Sequence, residues 1–270
     1  MAASFPPGPA PPVPTTTTTT TTRRPELRLI LIGEREAGKS AAGNAILGRR
    51  AFDAVGVNTR ASLRKRAMVR GWPLVLVDTP GWEWFSPRGA PIRMGAAHTK
   101  NMVCGSVELC QPGPHGLLLV VPLGYSFGPR ERQVAEAHVQ MFGGRRAWRH
   151  TLVLFTIADR RILHDCTLDE EVEDNDELRA LVEQCGGGYH ALYRKDRRGE
   201  DQVGELLAKI RAMVEGNAWA LLPSQEVLQE ASRMEEEEAR REEEESRAEE
   251  KEVRRRREAL KRLQEEEDAD

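Results

Sequence analysis

The run Gly33-Glu34-Arg35-Glu36-Ala37-Gly38-Lys39-Ser40 has the spacing GxxxxGK[ST]. That spacing suits a phosphate. Two glycines let a loop turn with positive φ, so successive backbone N–H groups converge on an anion. A helix starting at Lys39 aims its dipole at the same point. The lysine reaches the outer phosphate oxygens, and the serine hydroxyl beside it suits Mg2+. Asp78-Thr79-Pro80-Gly81 closes a second apolar run. A carboxylate at the tip of a buried strand beside a phosphate loop is a Mg2+ partner, and Gly81 lets a backbone N–H approach the last phosphate. A third run ends in Thr156-Ile157-Ala158-Asp159. An aspartate at the carboxyl end of a central strand lies where ligands bind in such sheets. Its two oxygens can accept a pair of N–H donors from such a ligand.

These residues need strands and helices to hold them. Leu27–Gly33 (LRLILIG), Pro73–Asp78, Gly116–Val121 and Thr151–Thr156 are apolar runs of strand length. Helix-compatible stretches alternate with them over Lys39–Leu47, Pro129–Phe142, Leu168–Gln184 and Asp201–Val214. The alternation predicts an α/β fold with a mostly parallel central sheet flanked by helices.

Composition divides the chain into three parts. Charged residues are 31% and hydrophobic residues 39%. The first figure exceeds, and the second falls below, what a packed domain usually shows, so part of the chain lies outside any core. Residues 1–25 are Pro-rich, then a threonine run from Thr15 to Thr22. They have little to bury and are expected to be a disordered tail. Residues 26–222 carry the α/β pattern. Residues 223–270 are rich in Glu and Arg, with 11 Lys+Arg against 19 Asp+Glu from Ser224 onward. Glu243–Arg247 and Glu258–Arg262 are i,i+4 pairs that support a solvated charged helix. Val253, Leu260 and Leu263 are too sparse for a sustained coiled-coil seam. The first 223 residues hold 29 bases against 24 acids, too mild an excess to imply nucleic acid.

No apolar run is long enough to span a bilayer, and the N-terminus lacks the pattern of a secretory signal. The four cysteines form no CxxC pair, which fits reduced thiols in a cytoplasmic protein. The basic clusters Arg145-Arg146 and Arg254–Arg257 read as solvated faces, with anionic lipid as the rival partner. His115 and His150, each before a buried strand, read as structural histidines.

Taken in order, GEREAGKSAAGNAILG, VDTPGW, PGPHGLLLVVPL, WRHTLVLFT and CGGGYHAL resemble the immunity-associated GTPases (the GIMAP or immune-associated nucleotide-binding family) over about Leu27 to Ala218. The resemblance implies a P-loop NTPase fold of the Ras-like G-domain type that binds GTP or GDP with Mg2+. It implies a phosphate loop of Gly33, Glu36, Ala37, Gly38, Lys39, Ser40 and Ala41. Thr59 is then the first switch threonine, and Asp78 and Gly81 belong to the second switch. Ser40, Thr59 and Asp78 become the Mg2+ partners, and Thr156, Asp159 and Tyr193 the base site. It also implies GTP-dependent self-assembly through the nucleotide face.

The chain departs from the family pattern at four places. Ile157 replaces a lysine, and Tyr193-Arg194 replace an Asn pair beside the base. Trp82 stands where Ras-like enzymes place a water-orienting glutamine. Gly105 stands where some members carry an arginine that acts across a dimer. No catalytic residue is identified, and slow hydrolysis is expected. Trp82 and Trp84, in the second switch, are candidates for an exposed interface anchor. Two functions follow: a guanine-nucleotide switch that assembles or binds a partner, and a non-catalytic scaffold acting through its charged C-terminal helix.

Overall fold

Leu27, Leu29 and Leu31 point to one side of a central strand, Ile30 and Ile32 to the other, and all five are fully buried. Such two-sided burial is what an unbroken apolar run signals in a parallel sheet. The computed structural model describes residues 24–54, 59, 61–82, 96–164, 166–193, 201–217 and 221, with single helical positions at 229, 240, 247 and 251. Six strands form the sheet: β1 (Leu27–Gly33), β2 (Leu63–Val69), β3 (Trp72–Asp78), β4 (Gly116–Pro122), β5 (Thr151–Ile157) and β6 (Tyr189–Tyr193). Their order is β2-β3-β1-β4-β5-β6. β2 runs antiparallel to β3, and every other pair is parallel.

Helices cover both faces. α1 (Lys39–Leu47) and α7 (Gln202–Gly216) pack on the face of Leu29 and Leu31 through Ile46, Leu206, Ile210 and Val214. α2 (Ala96–Glu108), α3 (Pro129–Met141), α5 (Leu168–Asp174) and α6 (Asp176–Gln184) contribute Val103, Val139, Val172 and Leu181 to the other face, beside the short α4 (Arg145–Arg149). Because β1 sits between β3 and β4, the chain reverses its direction of travel across the sheet at β1. The carboxyl end of that strand is therefore where an α/β sheet opens a crevice for a ligand.

All four expected strands are present, with one-residue extensions at three of them. The single helix expected over Leu168–Gln184 is two helices. Asn175 leaves helical geometry at φ −106, ψ 106, and its side chain caps α6 by accepting the N–H groups of Glu177 and Leu178 at 3.0 and 3.1 Å. Asparagine competes with a helical backbone in this way. Strands β2 and β6 and helix α2 were not expected. The four cysteines are thiols, as anticipated. His115 is buried, with Nδ1 accepting the Arg28 N–H at 2.9 Å, the structural role foreseen.

The two sheet edges differ. On β6, Lys209 of α7 donates to the Tyr189 carbonyl at 2.9 Å, and Gln202 of α7 accepts the Tyr193 N–H at 2.8 Å. On β2, the outer side has no strand partner among the described residues, and Leu63 and Met68 are 47% and 68% exposed.

Candidate nucleotide-binding site

β1 ends at Gly33 and α1 begins at Lys39, so residues 34–38 form the loop between them. Gly33 has φ 152, and a Cβ there would lie 2.5 Å from the Val120 carbonyl oxygen. Gly38 turns the chain into α1 at φ 91, and Glu36 takes a left-handed φ of 65 with a side chain attached. No side chain caps the N-terminus of α1. Its first-turn N–H groups therefore remain available for an anion.

Lys39 lies folded across this loop. Its Nζ donates to the Gly33 carbonyl at 3.1 Å and the Glu34 carbonyl at 2.7 Å. The side chain is buried, and burial pushes the ammonium down to about 8, against the attraction of Asp78 and Glu34. Phosphate oxygens would be stronger partners than two carbonyls, because charge on both sides strengthens a hydrogen bond.

Behind the lysine, three oxygens from three parts of the chain converge. Ser40 Oγ donates to Asp78 Oδ2 at 2.6 Å, Thr59 Oγ1 donates to the same oxygen at 3.3 Å, and the two hydroxyls are 3.4 Å apart. Asp78 is 1% exposed, and burial raises its pKa against the bonds from Ser40 and the charge of Lys39. Its second oxygen, Oδ1, is buried with no hydrogen-bond partner. A carboxylate and two hydroxyls form a hard oxygen set, and the second carboxylate oxygen is left to accept a cation. These residues fit Mg2+.

Gly81 closes the site. A Cβ there would stand 2.5 Å from the Arg35 backbone and 2.8 Å from Lys39 Nζ. Arg35 N–H donates to the Trp82 carbonyl at 2.7 Å, so the end of the DxxG turn is tied to the phosphate loop. From β5, Thr156 Oγ1 donates to the Ala37 carbonyl at 2.7 Å and braces the loop.

The base side of the site is different. Ile157 is 2% exposed and belongs to the core, so the family's lysine position points into the sheet packing. Asp159 caps a short 3-10 turn, Arg160–Leu163, by accepting the Arg161 N–H. The Arg161 guanidinium spans both Asp159 oxygens at 2.6 to 3.1 Å, and those bonds hold the carboxyl down at about 2. Tyr193 pairs with Ile157 at the end of β6, partly buried. Arg194 lies outside the described residues.

Gly33, Ala37, Gly38, Lys39, Ser40, Thr59, Asp78, Gly81 and Thr156 are thus brought together. Glu36 and Ala41 are exposed on the loop and on the first turn of α1. Two residues were missed. Arg161 is two positions from Asp159, a spacing that could have suggested the pairing. Glu34, inside the motif, lines a cavity of about 390 Å3 with Trp82, Phe127 and Glu131. Burial, then repulsion from Glu131, pushes its carboxyl up to about 7.

Two expectations about the switch are corrected or narrowed. Trp82 is not an exposed anchor. It is 2% exposed and stacks on His138 at a centroid distance of 4.1 Å, so the indole is packed into the core beside the phosphate loop. Trp84 lies outside the described residues. Gly105 sits in α2, and among the described residues no atom beyond its chain neighbours and its own helix backbone lies within 4 Å of where its Cβ would be.

This combination, a glycine-framed loop between β1 and an uncapped helix, with Ser40 on that helix's first turn and Thr59 meeting Asp78 at the end of β3, defines a P-loop protein of the G-domain fold. The AIG1 family model matches residues 27–244, and the chain belongs to that family. It is 32% identical over 198 residues to GTPase IMAP family member 8 of Homo sapiens, covering 71% of this chain and 28% of that protein. It is 30% identical to immune-associated nucleotide-binding protein 12 of Arabidopsis thaliana, covering 60% of this chain and 40% of that one. The chain therefore spans less than half the length of either relative. Toc33 of Arabidopsis thaliana, solved in complex with GDP and Mg2+, shares the fold with a TM-score of 0.53 and 16% identity, covering 74% of this chain and 88% of that one. A solved structure of chloroplast translocon components, in which dimerization is important for GTPase activity, superposes with a TM-score of 0.57 and 17% identity, covering 74% and 87%.

Proposed function

We propose that this chain is a guanine-nucleotide-binding switch that holds GTP or GDP with Mg2+ and hydrolyses GTP slowly. The observation that carries the reading is the cluster of Ser40, Thr59 and the half-satisfied Asp78 behind a lysine buried in a glycine-framed loop. Loop N–H groups and Lys39 would bind the phosphates. Ser40, Thr59 and Asp78 would hold Mg2+, which supplies neutralising charge at the β- and γ-phosphates. Asp159 would select guanine once its carboxylate exchanges Arg161 for the base.

Slow turnover is supported by two positions. Trp82 is held in the core by its stack on His138 and has no group to orient water as a glutamine would, and Gly105 has no side chain to stabilise developing charge. An arginine finger alone is worth ~10³–10⁵ in rate. A long-lived GTP state suits a protein whose output is assembly. Dimerizing relatives in fold make GTP-dependent self-association through the Thr59 and Gly81 face part of the proposal. A cytoplasmic site is part of it too. No described helix is long and apolar enough to cross a membrane.

Chromatography of the nucleotide released on denaturing the purified protein tests the first part: guanine nucleotide supports it, and adenine nucleotide overturns it. Light scattering with GDP and with a non-hydrolysable GTP analogue tests the second: equal masses remove the assembly switch. The scaffold reading has one observation in its favour, the Asp159–Arg161 pair that occupies the base-selecting carboxylate. Recovery of no nucleotide, with no binding on titration, would establish that reading instead.

A further inference from the structure

Strand β2 is the outermost strand of the sheet on the β3 side, and its sequence, LRKRAMV, is unlike the apolar strands behind it. Arg49 donates to the Arg66 carbonyl at 3.2 Å, so that carbonyl points away from β3. Backbone direction alternates along an antiparallel strand, so the N–H and C=O groups of Arg64 and Met68 point outward as well. The side chains along this edge are basic: Arg64, Lys65 and Arg66 on the strand, with Arg49 and Arg70 flanking it. The described acids that reach it are Glu26, 3.6 Å from Arg66, and Asp201, 2.8 Å from Arg70.

Charges on an edge strand are a common device against unwanted pairing. That explanation leaves two side chains unaccounted for. Leu63 and Met68, near the two ends of β2, are two of the three large hydrophobic residues exposed on the described surface. A strand built only to repel would not keep apolar side chains at both ends. A second copy is a poor occupant, because Arg64, Lys65 and Arg66 would meet their own kind.

We propose that the outer edge of β2 is a docking site for an extended acidic segment of a partner protein, which adds to the sheet as a further strand. Main-chain hydrogen bonds to the outward groups of Arg64 and Met68 and to the Arg66 N–H would give affinity, with Arg49 yielding the Arg66 carbonyl to the guest. Carboxylates opposite Arg64 and Arg66, and apolar residues against Leu63 and Met68, would give selectivity.

The test uses the full chain and a seven-residue peptide that carries Glu or Asp at the two positions facing Arg64 and Arg66 and Val at the others, read by fluorescence anisotropy and by amide hydrogen exchange. The expected result is salt-sensitive binding, slowed exchange at Arg64, Arg66 and Met68, and at least about tenfold weaker binding in the double variant Arg64→Glu, Arg66→Glu. Met68→Pro removes an outward N–H while leaving the β2–β3 ladder intact, and should weaken binding without lowering the thermal midpoint. Unchanged affinity in both variants overturns the proposal. So does equal binding of the same peptide with Lys in place of the acids. If those amides are already protected without peptide, the edge is covered by the chain itself and the proposal fails. If phosphatidylserine vesicles bind through Arg64 and Arg66 while the peptide does not, the surface reads lipid and the proposal fails.

Discussion

Ser40 and Asp78, 38 positions apart in the chain, share a 2.6 Å hydrogen bond that joins the first turn of α1 to the end of β3. The bond spends the serine proton on one carboxylate oxygen and leaves the other without a partner. If the pair is a Mg2+ site, Ser40→Ala should weaken GDP binding by about 10–100-fold when Mg2+ is present, and far less in chelator. Titration of a fluorescent GDP analogue in both buffers measures it. Equal losses in the two buffers would mean that Ser40 serves the fold rather than the cation.

The buried Lys39 gives the site a pH dependence of definite sign. Its pKa is lowered to about 8 in the folded chain. Bound phosphate would restore the charge, so nucleotide binding above pH 8 takes up a proton. Affinity should fall by up to about tenfold per pH unit there. Stability of the nucleotide-free chain moves the opposite way and rises from pH 8 toward 10.5, because the unfolded chain then binds the extra proton. Lys39→Ala should abolish binding, keep the fold and flatten the stability profile. A wild-type affinity that is level from pH 7 to 9.5 would contradict this.

Glu34 is the counterpart acid. Its folded pKa, about 7, lies above the ordinary 4.5. The folded chain therefore binds more protons than the unfolded one between those values, and stability falls as pH rises through them. Glu34→Gln should raise the thermal midpoint at pH 8 and leave it nearly unchanged at pH 4.5. A gain of the same size at both would assign the effect to packing.

Arg161 competes for the carboxylate that would read guanine. Arg161→Ala should therefore strengthen GDP binding several-fold, while Asp159→Asn should weaken it and shift preference toward xanthine nucleotides. Competition titrations with GDP, XDP and ADP decide between them. Weaker GDP binding in Arg161→Ala would show the arginine to be part of the base site instead of a competitor.

Trp82 is structural, so restoring a glutamine there would not restore a catalyst. Trp82→Ala should cost about 3–5 kcal/mol by urea unfolding. Trp82→Gln should also destabilise and leave GTP turnover at the wild-type rate. A faster turnover in the glutamine variant would place residue 82 at the attacking water.

How much of this was legible in the sequence depended on whether a residue's role was local. Gly33, Gly38, Lys39 and Ser40 announce themselves because a phosphate loop is a contiguous device. The four strands buried on both faces are legible as apolar runs. β2 was hidden because an edge strand buries little and carries Arg64 and Arg66 where a central strand carries Val or Leu. β6 was hidden by its length, five residues after three glycines. The Asn175 break was latent in a known preference, but the flanking apolar spacing of Val172 and Leu178 overrode it. The inward turn of Trp82 required knowing that His138, 56 residues later, would lie beneath it. The Arg161 pair required knowing that β5 ends in a tight turn rather than an open loop.

One edge of the sheet is stoppered and the other is not. Lys209 and Gln202 occupy outward backbone groups at both ends of β6, and among the described residues Arg49 is the one side chain that does so on β2. A sheet can propagate from molecule to molecule only when each copy offers two complementary edges. On the proposed docking, this one would have a valence of one. It would accept a single guest strand without passing the pairing on, so however high its local concentration became, edge addition would end after one step.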